Sequence, residues 1–179
     1  MHTQIEQLAE RAREPIRKAA RMEPDYSLES LAAVDHYLRQ LPAAAPEELL
    51  AIAAQIGCYF GEVARRALGG RWDTTDEDPK RWRLTFDAAP LWIFPIGMAA
   101  EAVYEGDVSE YDGSLHVVAV LEPLLARALA AMGEVDEEYY YSLTGRLETI
   151  QHVLDVLAAA RAAAKNGRSR AKPARPRRS

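Results

Sequence analysis

The sequence predicts an α+β protein that is mostly helical, with five to six helices packed with a small two- or three-stranded antiparallel β-meander. Apolar residues recur three or four positions apart along most of the 179-residue chain, as they do on the buried face of a helix. Between residues 70 and 96 this spacing gives way to short runs rich in Trp, Phe, Thr and Ile, which favour strands. A hydrophobic share of 49% is typical of a globular protein, so these elements can enclose a core.

Two amphipathic helices are predicted in the first quarter of the chain. The first spans Thr3 to Ala20, and Pro15 within it either kinks the helix or divides it in two. The second carries regularly spaced apolar residues from Leu28 to Leu41 and is ended by Pro42, which cannot continue a helix. Both are expected to pack one face against the core.

The third predicted helix begins at Pro46, a residue favoured in the first turn, and is stopped by Gly69-Gly70. Gly57 and Gly61 lie one turn apart on it. Because glycine has no side chain, we expect another element to approach the helix closely at these two positions.

Three short runs after this helix, each containing one tryptophan, are predicted to form two or three strands. Alternation along a strand places Trp82 and Leu84 on one face, and the other face carries Arg81, Arg83 and Thr85. We expect core tryptophans and a solvated basic face. The alternative is an aromatic and basic platform on which single-stranded nucleic acid stacks; it would use Trp72, Trp82 and Trp92 with Arg71, Arg81 and Arg83.

The second half of the chain is predicted to be helical. A short helix follows Pro95, another is predicted from Ser114 to Met132, and the last begins between Val135 and Ser142. The last helix carries an apolar seam with alternating spacings of four and three, which indicates a bundle-packing face and is our candidate for a contact between copies of the chain. The seam residues are Leu143, Leu147, Ile150, Leu154 and Leu157.

Acidic and basic residues are unevenly distributed along the chain. We predict a single helical α+β domain over residues 1–164 and a disordered basic tail over residues 165–179. The domain holds 15 basic and 27 acidic residues, a net charge of −12, and the tail holds no acidic residue. Its seven cations are candidates for binding a polyanion: Lys165, Arg168, Arg170, Lys172, Arg175, Arg177 and Arg178.

The sequence predicts a cytoplasmic protein with no membrane partner. Its start, Met1 to Pro15, is charged and has no apolar signal-peptide core. The longest apolar run is interrupted by Pro90 and Pro95 and is too short to span a bilayer. The single cysteine, Cys58, allows no intramolecular disulfide and is expected to be a small buried residue.

One glutamate, Glu62, lies in the middle of the third predicted helix. Arg66 follows it by four positions and Arg65 by three, spacings at which side chains on a helix meet. We predict a structural ion pair between Glu62 and Arg66 at the edge of the core. The alternative is a general acid or base that works with a second group across a cleft.

His152 shares a predicted helix face with Glu148 and Asp155. Such a face is expected to be solvated. The alternative is a divalent metal site to which a second helix contributes Asp35 and His36. We predict no metal and no cofactor.

Three consecutive tyrosines, Tyr139, Tyr140 and Tyr141, precede the last seam. On a helix they cannot all point the same way, so at least one is expected to be exposed. They are our candidates for contact with a partner protein, because tyrosine is enriched at interface hot spots. The alternative is that Tyr139 or Tyr140 packs and the others lie half-buried with their hydroxyls in water.

The stretch from Tyr59 to Trp72 resembles a group of small uncharacterised bacterial domains. The shared features are the helical Gly61-Glu62 step and the Gly69-Gly70 turn two residues before Trp72. The resemblance covers the layout of residues 27–130 and implies a fold, with no activity attached to it. The basic tail departs from it.

The sequence contains no Gly-rich phosphate loop, no nucleophile elbow and no His-Glu-x-x-His motif. We therefore predict a non-enzymatic bacterial protein-interaction module, an adaptor or accessory subunit with an acidic folded body, a basic tail and an unidentified protein partner. Two alternatives stay open. One is a protein that binds nucleic acid or another polyanion through its tail, and the other is an enzyme with a carboxylate- or metal-based site.

Overall fold

A computed structural model describes residues 2–170 of the chain. These residues form an α+β architecture that is mostly helical, as predicted. Two short 3-10 turns, Pro79–Arg81 and Ala119–Leu121, accompany the longer elements. Seven α-helices and four strands follow one another within the described residues as α1 (His2–Ala20), α2 (Ser30–Leu38), α3 (Pro46–Leu68), β1 (Gly70–Asp73), β2 (Arg83–Phe86), β3 (Leu91–Ile93), α4 (Pro95–Tyr104), β4 (Leu115–Val117), α5 (Glu122–Ala131), α6 (Glu137–Tyr141) and α7 (Leu143–Arg170).

The four strands form one antiparallel sheet in the order β1-β2-β3-β4. Leu84 of β2 lies opposite Trp72 of β1 and Ile93 of β3. Leu84 and Ile93 are fully buried, so this face of the sheet forms part of the core. On the other face, Trp92 of β3 lies opposite His116 of β4.

The fourth strand corrects the prediction of one helix over residues 114–132. Residues 115–117 pair with β3, and α5 begins only at Glu122. The apolar spacing of this segment fits a helix, but the valine-rich run 117–120 contains β-branched residues that favour a strand. Pro123 then sets the first turn of α5.

Helix α3 lies at the centre of the core, where Cys58 is buried as predicted. Burial raises the pKa of this thiol to about 12. The close approach predicted at both glycines of α3 is confirmed. A Cβ on Gly57 would lie 2.5 Å from the Cα of Ile96 in α4, and a Cβ on Gly61 would clash with the ring of Trp72.

The three tryptophans occupy three environments. Trp82 is 4% exposed and belongs to the core, whereas Trp72 is half-buried against α3. The ring of Trp92 stacks on His116 with 5.6 Å between the ring centroids, on the outer face of the sheet. The prediction of core tryptophans is wrong for Trp92, because both of its neighbours in β3 point into the core.

Helix α7 buries its apolar seam against the rest of the chain, and each of the five seam residues is at most 5% exposed. This confirms the predicted packing face. It also means that a contact between copies through α7 would have to use another face of the helix. No helix among residues 2–170 is long and apolar enough to cross a membrane.

The end of α7 departs from the predicted tail. The helix continues to Arg170, so Lys165, Arg168 and Arg170 are helical and not disordered. The alanine-rich run 158–164 explains this extension, because alanine has the highest helix propensity. Residues 171–179 lie outside the described residues, and the division of the chain into domain and tail stays a prediction.

Candidate functional site

The three tyrosines of α6 make different contacts. Tyr139 donates its hydroxyl to the carboxylate of Glu148 on α7, and this hydrogen bond raises the pKa of Tyr139 to about 12. Tyr140 is 55% exposed, and its ring meets that of Tyr141 edge-on with 5.0 Å between centroids. One of the three is thus exposed, as the helical spacing requires. Contact of these residues with a partner protein stays a prediction.

Tyr140 and Tyr141 lie beside a buried ion pair. The guanidinium carbon of Arg146 is 5.5 and 5.8 Å from their ring centroids. Arg146 is 7% exposed and donates to Glu101 at 2.6 Å and to the carbonyl oxygen of Gly113 at 2.8 Å. Glu101 in turn accepts the backbone N–H of Gly113 at 3.0 Å. The tyrosines therefore rest on a fixed support that joins α4, α7 and the loop before β4.

Asp35 of α2 caps the N-terminus of α7. One of its carboxylate oxygens accepts the backbone N–H of Leu143 at 2.8 Å. The other accepts the backbone N–H of Thr144 at 3.1 Å and its hydroxyl at 2.6 Å. The first N–H groups of a helix have no partner within the helix and favour a carboxylate. This contact therefore holds the junction of α6 and α7 against α2.

A groove opens at this junction, between α2, the end of α4 and α6. Its main cavity has a volume of about 550 Å³, and a second cavity of about 340 Å³ shares part of its wall. We call the two cavities together the α6 groove. Its aromatic wall residues are Tyr139 and Tyr141, and its charged wall residues are Asp35, Arg39, Glu105, Asp136, Glu137 and Glu138.

The α6 groove has an excess of negative charge, with five carboxylates and one guanidinium in its wall. Arg39 lies 3.5 Å from Glu138 in an exposed and therefore weak ion pair. Within residues 2–170, neither Glu105 nor Glu137 takes part in an ion pair. Burial raises the pKa of Tyr141, and the negative charges around it raise that pKa further. Such a groove favours a cationic ligand that also has a group to place against an aromatic ring.

The sequence predicts the tyrosines as contact residues, but it does not predict most of the other residues in the groove wall. The sequence suggests Asp35 only as a metal ligand, and no local pattern in it points to Arg39 or Glu105. These residues lie on different elements, so no local spacing connects them. The acidic run 136–138 directly before the tyrosines was the one local signal of an acidic site.

Glu62 belongs to an ion-pair cluster outside the groove. It is 5% exposed and accepts hydrogen bonds from Arg65 at 2.9 and 3.0 Å and from the indole N–H of Trp72 at 2.9 Å. Arg66, the predicted partner, lies 3.5 Å away. Glu62 lines none of the four cavities described for residues 2–170. The cluster joins α3 to β1, which is the geometry of a structural ion pair.

The candidate metal ligands do not lie together, and four of them make hydrogen bonds to different partners. The Nε2 atom of His152 lies 3.2 Å from the carbonyl oxygen of Ala128. Glu148 accepts its hydrogen bond from a tyrosine, Asp35 caps α7, and His36 lies 2.7 Å from a glutamine amide. Among the described residues, no three potential ligands lie close enough together to hold a metal ion.

Three of the seven candidate polyanion-binding residues lie in α7. Lys165 is exposed, and Arg168 and Arg170 belong to the last turns of the helix. The other four, Lys172, Arg175, Arg177 and Arg178, lie outside the described residues. Polyanion binding stays a prediction.

Comparison of the chain with models of protein families, with curated proteins and with solved structures finds no match in any of the three. The resemblance to small bacterial domains around Gly61 and Trp72 therefore stays a prediction.

Proposed function

We propose that this protein is a non-enzymatic interaction module of the bacterial cytoplasm, an adaptor or accessory subunit whose α6 groove binds a basic segment of a partner protein. The observation that supports this most directly is the acidic groove with Tyr141 in its wall and the exposed Tyr140 beside it. A cavity of about 550 Å³ can hold several side chains of a peptide. Carboxylates bind Arg and Lys side chains, and an aromatic ring adds a cation–π contact.

The contacts of the wall residues support binding over catalysis. Asp35 is held by the backbone N–H groups of α7, and Glu138 is paired with Arg39. A general acid or base must have a proton to exchange near the working pH and must reach the substrate. A carboxylate that caps a helix is suited to holding the wall of a site in position.

The test uses the chain ended at Arg170, because α7 continues to that residue. This chain is immobilised and used to capture proteins from a nuclease-treated lysate, alongside the variant Glu137→Gln/Glu138→Gln. We expect a protein that is retained by the unchanged groove, released by salt and lost with the variant. Exposed ion pairs weaken with ionic strength, which gives the salt dependence.

The matched control is Glu47→Gln/Glu48→Gln. Like the groove pair, these two glutamates are adjacent, exposed and in the first turn of a helix. The two double variants therefore change the net charge equally. Retention of the same proteins by both variants would overturn the proposal, because capture would then depend on total charge and not on the groove.

A second candidate function is binding of nucleic acid or another polyanion through the basic segment. Arg161 and Lys165 are both exposed one turn apart on α7, so the helix itself leads into the basic run. Fluorescent DNA should bind the full chain with an affinity that falls as salt rises. Deletion of residues 165–179 should abolish the binding, and binding that survives the deletion would exclude this function.

A further inference from the structure

This chain contains a segment with the chemistry that the α6 groove selects. Residues 172–178 hold four cations and no acidic residue: Lys172, Arg175, Arg177 and Arg178. The guanidinium group of arginine presents paired N–H donors that match the two oxygens of a carboxylate. The groove wall offers five carboxylates and one guanidinium, so segment and groove have complementary charge.

Arginine–tyrosine contacts already occur in this fold, one of them at the wall of the groove. The guanidinium carbon of Arg66 lies 4.1 Å from the ring centroid of Tyr26, and that of Arg146 lies 5.8 Å from the ring centroid of Tyr141. Cations over aromatic rings are therefore part of how this protein packs. In the groove, a guanidinium from the segment can contact Tyr141 and reach the carboxylates of α6.

Intact α7 holds the segment far from the groove of its own chain. Thr144 lies in the groove wall, and Arg170 is 26 residues further along the same helix, about 39 Å away at 1.5 Å per residue. Arg178 follows Arg170 by eight residues, which span at most about 29 Å when fully extended. The backbone of even the last cation therefore falls roughly 10 Å short of Thr144, so only a fully extended chain and side chain would span the distance.

We propose that the cations of segment 172–178 bind the α6 groove of a second copy of this chain. The inference rests on the proposed function, because it uses the same groove, and it specifies the partner. Two copies that exchange segments form a closed pair, and a one-way exchange forms an open row of copies. Either assembly is held by exposed charges and weakens as salt screens them.

The first experiment measures binding of a fluorescent peptide of residues 171–179 to the chain ended at Arg170 by anisotropy at low salt. We expect binding that is roughly fivefold weaker with Glu137→Gln/Glu138→Gln, as loss of exposed charge pairs implies, and unchanged with Glu47→Gln/Glu48→Gln. A peptide carrying Arg175→Gln, Arg177→Gln and Arg178→Gln should not bind. Equal binding to both protein variants, or no binding of the natural peptide, would overturn the inference.

The second experiment follows self-association of the full chain by sedimentation velocity. The average mass should rise with protein concentration at low salt and return to that of the monomer at high salt. The chain ended at Arg170 should stay monomeric, and the groove variant should need a roughly fivefold higher protein concentration to reach the same average mass. Self-association of the shortened chain equal to that of the full chain would overturn the inference, as would peptide binding without any self-association.

Different results would overturn the proposed function of the groove and the inference about segment 172–178. If lysate capture depends on the groove but the peptide does not bind, the inference is overturned and the proposed function stands. If the peptide binds the groove but no protein from the lysate depends on the groove for capture, the inference is supported. The proposal that a different protein binds the groove is then overturned. Binding of the peptide to DNA but not to the protein overturns the inference and favours the polyanion function.

Discussion

The carboxylate of Asp35 accepts the backbone N–H of Leu143 at 2.8 Å, so a residue of α2 caps a helix that begins 108 positions later in the chain. Asp35 is 7% exposed and accepts two further hydrogen bonds from Thr144. Because only one residue, Ser142, separates α6 from α7, the same contact positions the tyrosines and the α6 groove.

Replacement of Asp35 by alanine should destabilise the fold. The variant loses a helix cap and leaves buried N–H groups of α7 without a partner, so we expect a loss of about 2–3 kcal/mol in the free energy of unfolding, measured in urea. Asp35→Asn keeps one acceptor oxygen and should lose less. Glu29→Ala, an exposed change at the start of the same helix, should stay within about 0.5 kcal/mol. Similar losses for Asp35→Ala and Glu29→Ala would contradict the capping role.

The buried pair of Glu101 and Arg146 should show strong coupling. Either Glu101→Leu or Arg146→Met alone leaves one buried charge without its partner, which costs about 3–5 kcal/mol. The double variant removes both charges and should lose clearly less than the two single losses combined. Urea unfolding of the four proteins measures the coupling. Simple additivity of the two losses would show that the pair does not act as a unit.

The stabilising contribution of Glu62 should depend on pH. Burial alone raises its pKa, but hydrogen bonds from Arg65 and Trp72 outweigh burial, so the pKa in the folded protein lies below the usual value of 4.5. Glu62 therefore adds stability above about pH 4.5 that is lost as the pH falls through the folded pKa. The difference in unfolding free energy between the natural protein and Glu62→Gln should be largest near pH 7 and shrink towards pH 3. A constant difference across this range would contradict the lowered pKa.

The elements that the sequence predicted well are those with local signals. Pro46 starts α3 and Gly69 ends it with a positive φ, and both signals lie within a few residues of the boundary they set. Helix α4 likewise begins with a proline, Pro95, in its first turn. A strand is defined by its pairing with another strand that can lie far away in the sequence. For this reason the strand at residues 115–117 was predicted as part of a helix.

The candidate site was predictable only in part for the same reason. The tyrosines of α6 are adjacent in sequence, so their helical geometry alone required one to be exposed. Asp35 and Glu105 enter the same groove from α2 and from the end of α4, and nothing in their neighbourhoods connects them. Arg65 likewise proved a closer partner of Glu62 than Arg66, because the side-chain paths are set by Trp72 and the packing around it.

Gly57 should tolerate no side chain where α3 meets α4. A Cβ there would lie 2.5 Å from the Cα of Ile96, and this neighbour is backbone that cannot rotate away. Overpacking of this kind costs about 1–3 kcal/mol, and the higher helix propensity of alanine returns up to about 1 kcal/mol. We expect Gly57→Ala to lower the melting temperature by roughly 4–8 °C, which corresponds to about 2 kcal/mol in a chain of this size. The control is Gly106→Ala, whose Cβ would meet its nearest atom at 3.9 Å and should leave the melting temperature almost unchanged. If Gly57→Ala melts like the control, α4 can move away from α3, and the two helices do not form the rigid centre on which the groove is built.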